Sequence, residues 1–586
     1  MRKTRIIIID SGISQNSNVI DVVSESYVLN EEEGVFHIAK ESPKDYIGHG
    51  TAVANIIYSE SSNVDILSFR ICDSAMEINE KGLVFVLAYI EQNLRADIIN
   101  ISAGVTHLSE FDILNNICEK IHKKGSTIIA AFDNDGAISY PAALHNVIGV
   151  DVKKDYESKN DIYYSVNGIV DIFVPDIYYR TIWKGDRTII KGTSFAAAKI
   201  TGMLSNKNIN FDESVDKINI LKSIANVELN IKSGEMIQPP NFEIQKAIIF
   251  PINKESKALL RFKDILEFEI NGVYDERLSG NVGKKLYGED IKSFDSIDWE
   301  GDFDTVVLSC TTELAAITKR NYSEEIINKA KLYRKNIYTF EQLENDYNRM
   351  YYPKISSSSV PHENFLKLRK PMIPSVGVFG TSSKQGKFTL QLEIVKKLRE
   401  KGYKTGHIST EPSGYLFDAD FVFHFGYHSY LKIQPWESIS ILNEMVWETQ
   451  LKEKDILITG CQSGTLHYND SQIEHFGIFQ YAFLLGIMPD LCILCVNPHD
   501  DIDYIERTIN FINSVDNGKV KALTIFPMRA VETLSGIKYK IEELESKKLN
   551  VLKEVFSTKF KIPVLGLGIE NDMDFLVDLI INNFSE

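Results

Sequence analysis

The stretch Arg5-Ile6-Ile7-Ile8-Ile9-Asp10-Ser11-Gly12 decides the fold class. Four consecutive isoleucines leave no polar face, which is the signature of a strand buried on both sides of a parallel sheet. The run ends on a carboxylate, Asp10, at the C-terminal end of the strand, where open α/β sheets place their sites. Working outward, Gly48-His49-Gly50-Thr51 opens the apolar run Thr51-Ala52-Val53-Ala54-Asn55-Ile56-Ile57, which reads as a buried helix. Gly192-Thr193-Ser194-Phe195-Ala196 leads into further alanines, Ala197 and Ala198, and suits a helix start held close to a sheet with a hydroxyl exposed at its N-terminus. A serine hydroxyl becomes a competent nucleophile when a histidine can take its proton and a carboxylate holds that histidine in one tautomer. Asp10, His49 and Ser194 supply those three groups in that order.

The order and the neighbouring residues resemble the subtilisin-type serine proteases, peptidase family S8. The resemblance implies a subtilisin-like parallel-sheet domain over residues 1–238, with Asp10 as orienter, His49 as base and Ser194 as nucleophile. Asp97-Ile98-Ile99-Asn100-Ile101-Ser102-Ala103-Gly104 resembles the family's substrate-binding strand. An extended peptide would add at Ser102, Ala103 and Gly104 through backbone hydrogen bonds. Ile128-Ile129-Ala130-Ala131-Phe132-Asp133-Asn134-Asp135-Gly136 resembles the segment that supplies a side-chain oxyanion donor, here Asn134. Such a donor, acting with the Ser194 backbone N–H, is worth roughly 3–4 kcal/mol in the transition state. The chain departs from the family at Phe195, where Met is common, at Ala198, where Pro is common, and at Asn55 and Asp176, where glycines are usual. None of these removes a catalytic group, so they bear on substrate preference.

Composition sets the surroundings of this unit. At 586 residues the chain is long enough for two to four domains. A net charge of −17 argues against a general binder of nucleic acid or anionic membrane. The N-terminus lacks the apolar stretch and cleavage site of a secretory signal, and no run of about 20 apolar residues suggests a membrane span. A cytoplasmic location is therefore expected. Secreted relatives carry a pro-segment ahead of the catalytic strand; none is expected here, which calls for restraint by narrow specificity, occlusion or a ligand switch. Six cysteines form no disulfide framework, and Cys492-Ile493-Leu494-Cys495 lies in an apolar run that reads as a core strand rather than a redox or zinc motif.

A Pro-Pro break at Gly234–Asn241 separates the first domain from a new α/β pattern. Lys246–Pro251 and Asp304–Ser309 read as buried strands and Tyr322–Ala330 as a helix, an α/β pattern over 245–354 that the family resemblance given below implies is a Rossmann-like domain. Ile355–Pro361 and Lys370–Pro374 read as a linker. Beyond it, the strand Ser375-Val376-Gly377-Val378-Phe379 runs into Gly380-Thr381-Ser382-Ser383-Lys384-Gln385-Gly386-Lys387-Phe388-Thr389 and an amphipathic helix. This is a P-loop in its strand–loop–helix setting, over a domain at 370–586. Its backbone N–H groups would wrap a phosphate chain, Lys387 would reach the β/γ oxygens and a hydroxyl would touch Mg²⁺. Phe388 takes the usual Ser/Thr place, leaving Thr389 as the metal contact.

The loop resembles those of dethiobiotin synthetase and cobyrinic acid synthase, and more closely a DUF1611-type P-loop family. The resemblance extends over about 245–586, through Ile456–His467 and Leu485–Asp490, and implies ATP or GTP with Mg²⁺ as cofactor. That family carries an acidic residue where this chain has Thr459-Gly460; Glu411 and Asp455 are the candidate substitutes. The two resemblances together imply a serine endopeptidase acting on a dedicated peptide or protein, such as a leader peptide, coupled to a nucleotide-binding domain. The alternative is a P-loop-dependent ligase, kinase or amino-acid-modifying enzyme whose fused protease supplies or trims the substrate. The expected partners are a peptide substrate and a nucleotide, with no nucleic acid or membrane; a homo-oligomer is left open.

Overall fold

The computed structural model describes residues 2–72, 78–207, 216–425, 429, 431–468, 477–515, 518–532 and 539–585. The chain divides into two compact units, Met1–Gly234 with Pro361–Met372, and Glu235–Val360 with Ile373–Glu586. In the first, β1 (Thr4–Asp10) lies inside a sheet of ten described strands. It pairs in parallel with β2 (Val64–Arg70) on one side and β3 (Ile98–Ile101) on the other; β4 (Thr127–Ala131) and β5 (Val147–Lys153) continue in parallel beyond β3. Ile6, Ile7, Ile8 and Ile9 are at most 1% exposed. The isoleucine run encodes this directly, because β-branched side chains fill a pleated surface covered on both faces.

Two helices carry the other ends of the site, α1 (His49–Glu60) and α2 (Thr193–Ser205). They approach so closely that a Cβ on Gly202 would lie 2.8 Å from the Ile57 carbonyl oxygen and 2.6 Å from Glu60 Cβ. The fully buried Ala196, Ala197 and Ala198 give α2 the same closeness to its surroundings. A hairpin of β6 (Tyr179–Trp183) and β7 (Asp186–Ile190) precedes α2.

The second unit holds two mostly parallel sheets of seven described strands each. In one, β8 (Lys246–Phe250) is flanked by β9 (Glu269–Asp275) and then β10 (Glu289–Ser293) on one side, and by β11 (Thr305–Leu308) and then β12 (Asn336–Thr339) on the other. Helix α3 (Lys254–Arg261) follows β8. In the other sheet, β13 (Ser375–Gly380) lies between β15 (Ile456–Gly460) and β16 (Leu491–Val496); β14 (Thr405–Ser409) pairs with β15 and β17 (Lys519–Ile525) with β16. Helix α4 (Lys387–Glu400) follows β13.

Two sequence expectations change here. Residues 245–354 and 373–586, read as parts of separate domains, fall within one compact unit and share a core: Ala247, Ile249 and Phe340 pack with Leu392, Leu416 and Phe417. The expected linker is not free chain. Ile355, Val360 and Ile373 are at most 6% exposed, and residues 361–372 belong to the first unit. Cys492 and Cys495 lie on β16 three residues apart, so their side chains enter different core clusters on opposite faces, as core packing requires. Among the described residues no helix is long and apolar enough to cross a membrane.

Candidate active site

Asp10 is the last residue of β1, His49 the first of α1 and Ser194 the second of α2. His49 Nδ1 lies 2.8 and 2.9 Å from the two carboxylate oxygens of Asp10, and one of those oxygens also accepts the Ser11 N–H at 2.6 Å. A carboxylate can only accept, so this contact puts the proton on Nδ1 and leaves Nε2 to receive another. Burial of the ring by itself would lower the His49 pKa, but the Asp10 charge and hydrogen bond, together with the Asp45 charge, outweigh it and raise the pKa above its ordinary value. Asp45, which sequence reasoning passed over, fixes the start of α1 by accepting from the N–H groups of Gly48 and Thr51 at 2.6 and 2.9 Å and from the Ser11 hydroxyl at 2.9 Å. Its spacing before the Gly-His-Gly turn resembles a capping residue, the signal that could have found it.

The Ser194 hydroxyl donates to the carbonyl of Ser102 at 2.6 Å, and no hydrogen bond joins it to His49 among the described residues. Ser102 is itself held by a buried chain in which its hydroxyl donates to Asn100 Oδ1 and the Asn100 amide donates to Thr201 Oγ1 of α2, both at 2.9 Å. The cleft, about 540 Å³, is lined by His49, Ser194, Asn134 and the expected substrate edge of Ser102, Ala103 and Gly104. Asn134 Oδ1 accepts from the backbone N–H and hydroxyl of Thr193 at 3.1 and 3.2 Å, which leaves its NH₂ group as the donor. Two aromatic rings crowd the base: Trp183 edge-on at 5.8 Å and Phe195 at 5.1 Å from the His49 ring.

In the second unit Gly380 ends β13 and Lys387 begins α4, so the intervening loop brings its N–H groups to a helix N-terminus. Gly386 has φ +77°, and a Cβ there would lie 2.5 Å from Leu567 Cδ2, so only glycine fits. The Lys387 ammonium donates to the Ser382 carbonyl at 2.6 Å, and burial holds its pKa below the usual lysine range. A polyphosphate fits this set, because anionic oxygens would take the remaining donors of a desolvated cation. The Gln385 side chain braces the loop, accepting the Ser382 N–H at 3.0 Å and donating to Thr381 Oγ1 at 2.5 Å.

The P-loop cleft, about 160 Å³, is also lined by Thr389, Glu411, Ser413, Gln462 and, from the start of α3, Lys254. Burial pushes the Glu411 pKa up despite nearby Lys254. Among the described residues no cluster of three His, Cys, Asp or Glu side chains could hold a metal alone. Asp455 does not reach the cleft; it precedes β15, at the end of the sheet away from the loop, and accepts the Lys404 N–H at 2.7 Å. Sequence reasoning missed Asp500, which accepts from the Thr381 hydroxyl, and Ser413, whose buried hydroxyl has no hydrogen-bond partner among the described residues. Asp500 follows β16, the neighbour of the P-loop strand, a position that could have flagged it.

Residues 2–208 match the Subtilase family, and residues 367–565 match the P-loop domain of DUF1611, a domain of unknown function. The chain thus joins a subtilase domain at its N-terminus to a DUF1611 P-loop domain at its C-terminus. A curated relative, Subtilisin-like protease 2 of Arthroderma otae, is 24% identical over 201 residues, 31% of this chain; the chain spans about half of that relative, 47%. Among solved structures, a cold adapted subtilisin-like serine proteinase is 21% identical with TM-score 0.28, covering 34% of this chain and 74% of the other. Prenylagaramide maturation protease PagA is 21% identical with TM-score 0.28, over 35% and 75%. A DUF1611 family protein from Anabaena variabilis is 16% identical with TM-score 0.40, over 58% of this chain and 100% of the other.

Proposed function

We propose that the first unit is a cytoplasmic serine endopeptidase making a defined cut in a dedicated peptide or protein, for example removing a leader during peptide maturation. The observation that carries this reading is the Asp10–His49 pair, closed on both carboxylate oxygens beside the cleft that holds Ser194. Attack requires the Ser194 hydroxyl to leave Ser102 and donate to His49 Nε2. Oγ then bonds to the scissile carbonyl carbon while its proton passes to Nε2, and the oxyanion forms against the Asn134 amide and the Ser194 N–H. Collapse expels the amine, which takes the proton from His49. Water, activated by the same imidazole, then hydrolyses the acyl-enzyme. The rings of Trp183 and Phe195 beside His49 support a selective site.

The second unit, on this reading, binds ATP or GTP with Mg²⁺, and the buried Lys387 at the loop supports it. A second reading, in which this half activates a substrate carboxylate by phosphorylation, is favoured by Glu411 and Lys254 lining the P-loop cleft. The test is labelling of the full chain by a fluorophosphonate probe, with and without Mg-ATP or Mg-GTP, beside Ser194→Ala. Labelling of the wild type alone is expected. A folded wild type that never labels overturns the protease reading, and phosphate released from nucleotide only when peptide is present favours the second.

A further inference from the structure

The first unit is completed by a segment from far downstream, Pro361–Met372, which reaches it after the chain has run through β8 to β12. This strap is tied in by backbone and side chain. The Ile169 N–H donates to the Glu363 carbonyl at 2.8 Å, the Gly234 N–H to the Glu363 carboxylate at 2.7 Å, and the Phe365 ring stands edge-on to Phe173 at 4.7 Å. Three further contacts reach the turn between Phe132 and Tyr140 that presents Asn134, and the lysine that makes one of them is anchored on β5. Lys367 Nζ pairs with Asp151 at 2.6 Å, with both side chains at most 10% exposed, and stands 5.4 Å from the Phe132 ring centre. The Ile138 N–H donates to the Leu368 carbonyl at 2.9 Å, and Arg369 donates to the Tyr140 hydroxyl at 2.7 Å.

We infer that Lys367, Leu368 and Arg369 are positioning residues for the oxyanion donor. The tip of the turn is open: Gly136, at φ +93°, has nothing within 4 Å of the place a Cβ would take. An amide there is preorganised only if the base of the turn is rigid, since a donor displaced by a fraction of an ångström loses much of its effect on the transition state. The strap grips that base at Phe132, Ile138 and Tyr140. Tyr140 also exchanges two backbone hydrogen bonds with Val105, at 2.8 and 2.9 Å, directly after the Ser102–Gly104 edge. One downstream segment therefore sets both the oxyanion donor and the substrate edge of the upstream catalytic unit.

This rests on the protease reading, and a double-mutant cycle on the full chain separates the two. The second-order rate of fluorophosphonate labelling is measured for wild type, Asn134→Ala, Lys367→Met and the double variant, with thermal unfolding recorded for each. Asn134→Ala is expected to slow labelling by about a hundredfold and Lys367→Met by about tenfold. The double variant should be no slower than Asn134→Ala alone, because the lysine acts through the asparagine; Lys367→Arg should restore most of the rate. Should Lys367→Met unfold, Arg369→Gln carries the same cycle. Wild-type rates in folded strap variants, or losses that multiply in the double variant, would overturn the strap's role and leave the protease standing. A folded wild type that does not label overturns both.

Discussion

Replacing Asp10 by Asn changes one atom beside the His49 ring, and the surrounding hydrogen bonds dictate where the new amide must point. The oxygen that accepts the Ser11 N–H at 2.6 Å must remain an acceptor, so the new NH₂ takes the other position, 2.9 Å from His49 Nδ1. At that distance the NH₂ group and an Nδ1–H repel as two donors, which favours the tautomer with its proton on Nε2, the atom needed as base, over the one held by the retained oxygen 2.8 Å from Nδ1. The loss is that of a triad in the wrong tautomer, on the order of ten-thousandfold in the acylation rate, or about 5.5 kcal/mol. The shape of the core is unchanged, so thermal unfolding should move little. The assay is the labelling rate of Asp10→Asn against wild type at pH 7 to 9. A variant retaining more than about a tenth of the wild-type rate would refute the role of Asp10 as orienter, since tautomer control of this kind is worth far more.

The base is active only when neutral, and its pKa is raised by Asp10 and Asp45 against the opposing effect of burial, so labelling should rise to half its maximum above the ordinary histidine value of 6.5. The same shift stabilises the fold below the unfolded histidine pKa and is lost as pH climbs through the folded one, so denaturation midpoints should drift downward across the window in which activity appears. Gly50→Ala would put a Cβ 2.2 Å from the Gly12 carbonyl oxygen and 3.1 Å from Asp10 Oδ1, so the start of α1 must shift. A loss of about 1–3 kcal/mol in urea denaturation is expected, together with a severe loss of labelling. Lys387→Met should abolish nucleotide-dependent stabilisation, which in wild type should reach about 2.7 kcal/mol with Mg-nucleotide at a hundred times its Kd; equal stabilisation of both proteins would remove Lys387 from the phosphate site.

What sequence could reveal depended on how local each signal is. β1, the starts of α1 and α2, and the loop from Gly380 to Lys387 are set by neighbouring residues: a β-branched run, glycines at tight approaches, small residues under a helix. All were legible, and the structure brings Asp10 to His49 as their order implied. The Ser194–Ser102 hydrogen bond was not, because it depends on where β3 ends relative to α2, a relation between segments distant in sequence. Asp455 misled because its place before β15, rather than after it, decides which end of the sheet it occupies. The strap was the least legible. Only its two ends, Pro361 and Lys370–Met372, fell within stretches that read as linker, and nothing local says that Lys367 finds a buried carboxylate at Asp151.

The chain passes between its two units at 234, at 360 and again at 372, and that order of connection has a consequence in time. Residues emerge from a ribosome in sequence, at about 5–20 per second. The nucleophile, base and orienter are all made well before Lys367, so for roughly 7 to 27 seconds after Gly234 appears the nascent chain holds its triad without the segment that steadies Asn134. On the protease reading, the catalytic unit reaches its full rate only after residues 235–360 have been made and the strap has followed them. Translation of the intervening residues then serves as a delay during which the catalytic unit works at a reduced rate.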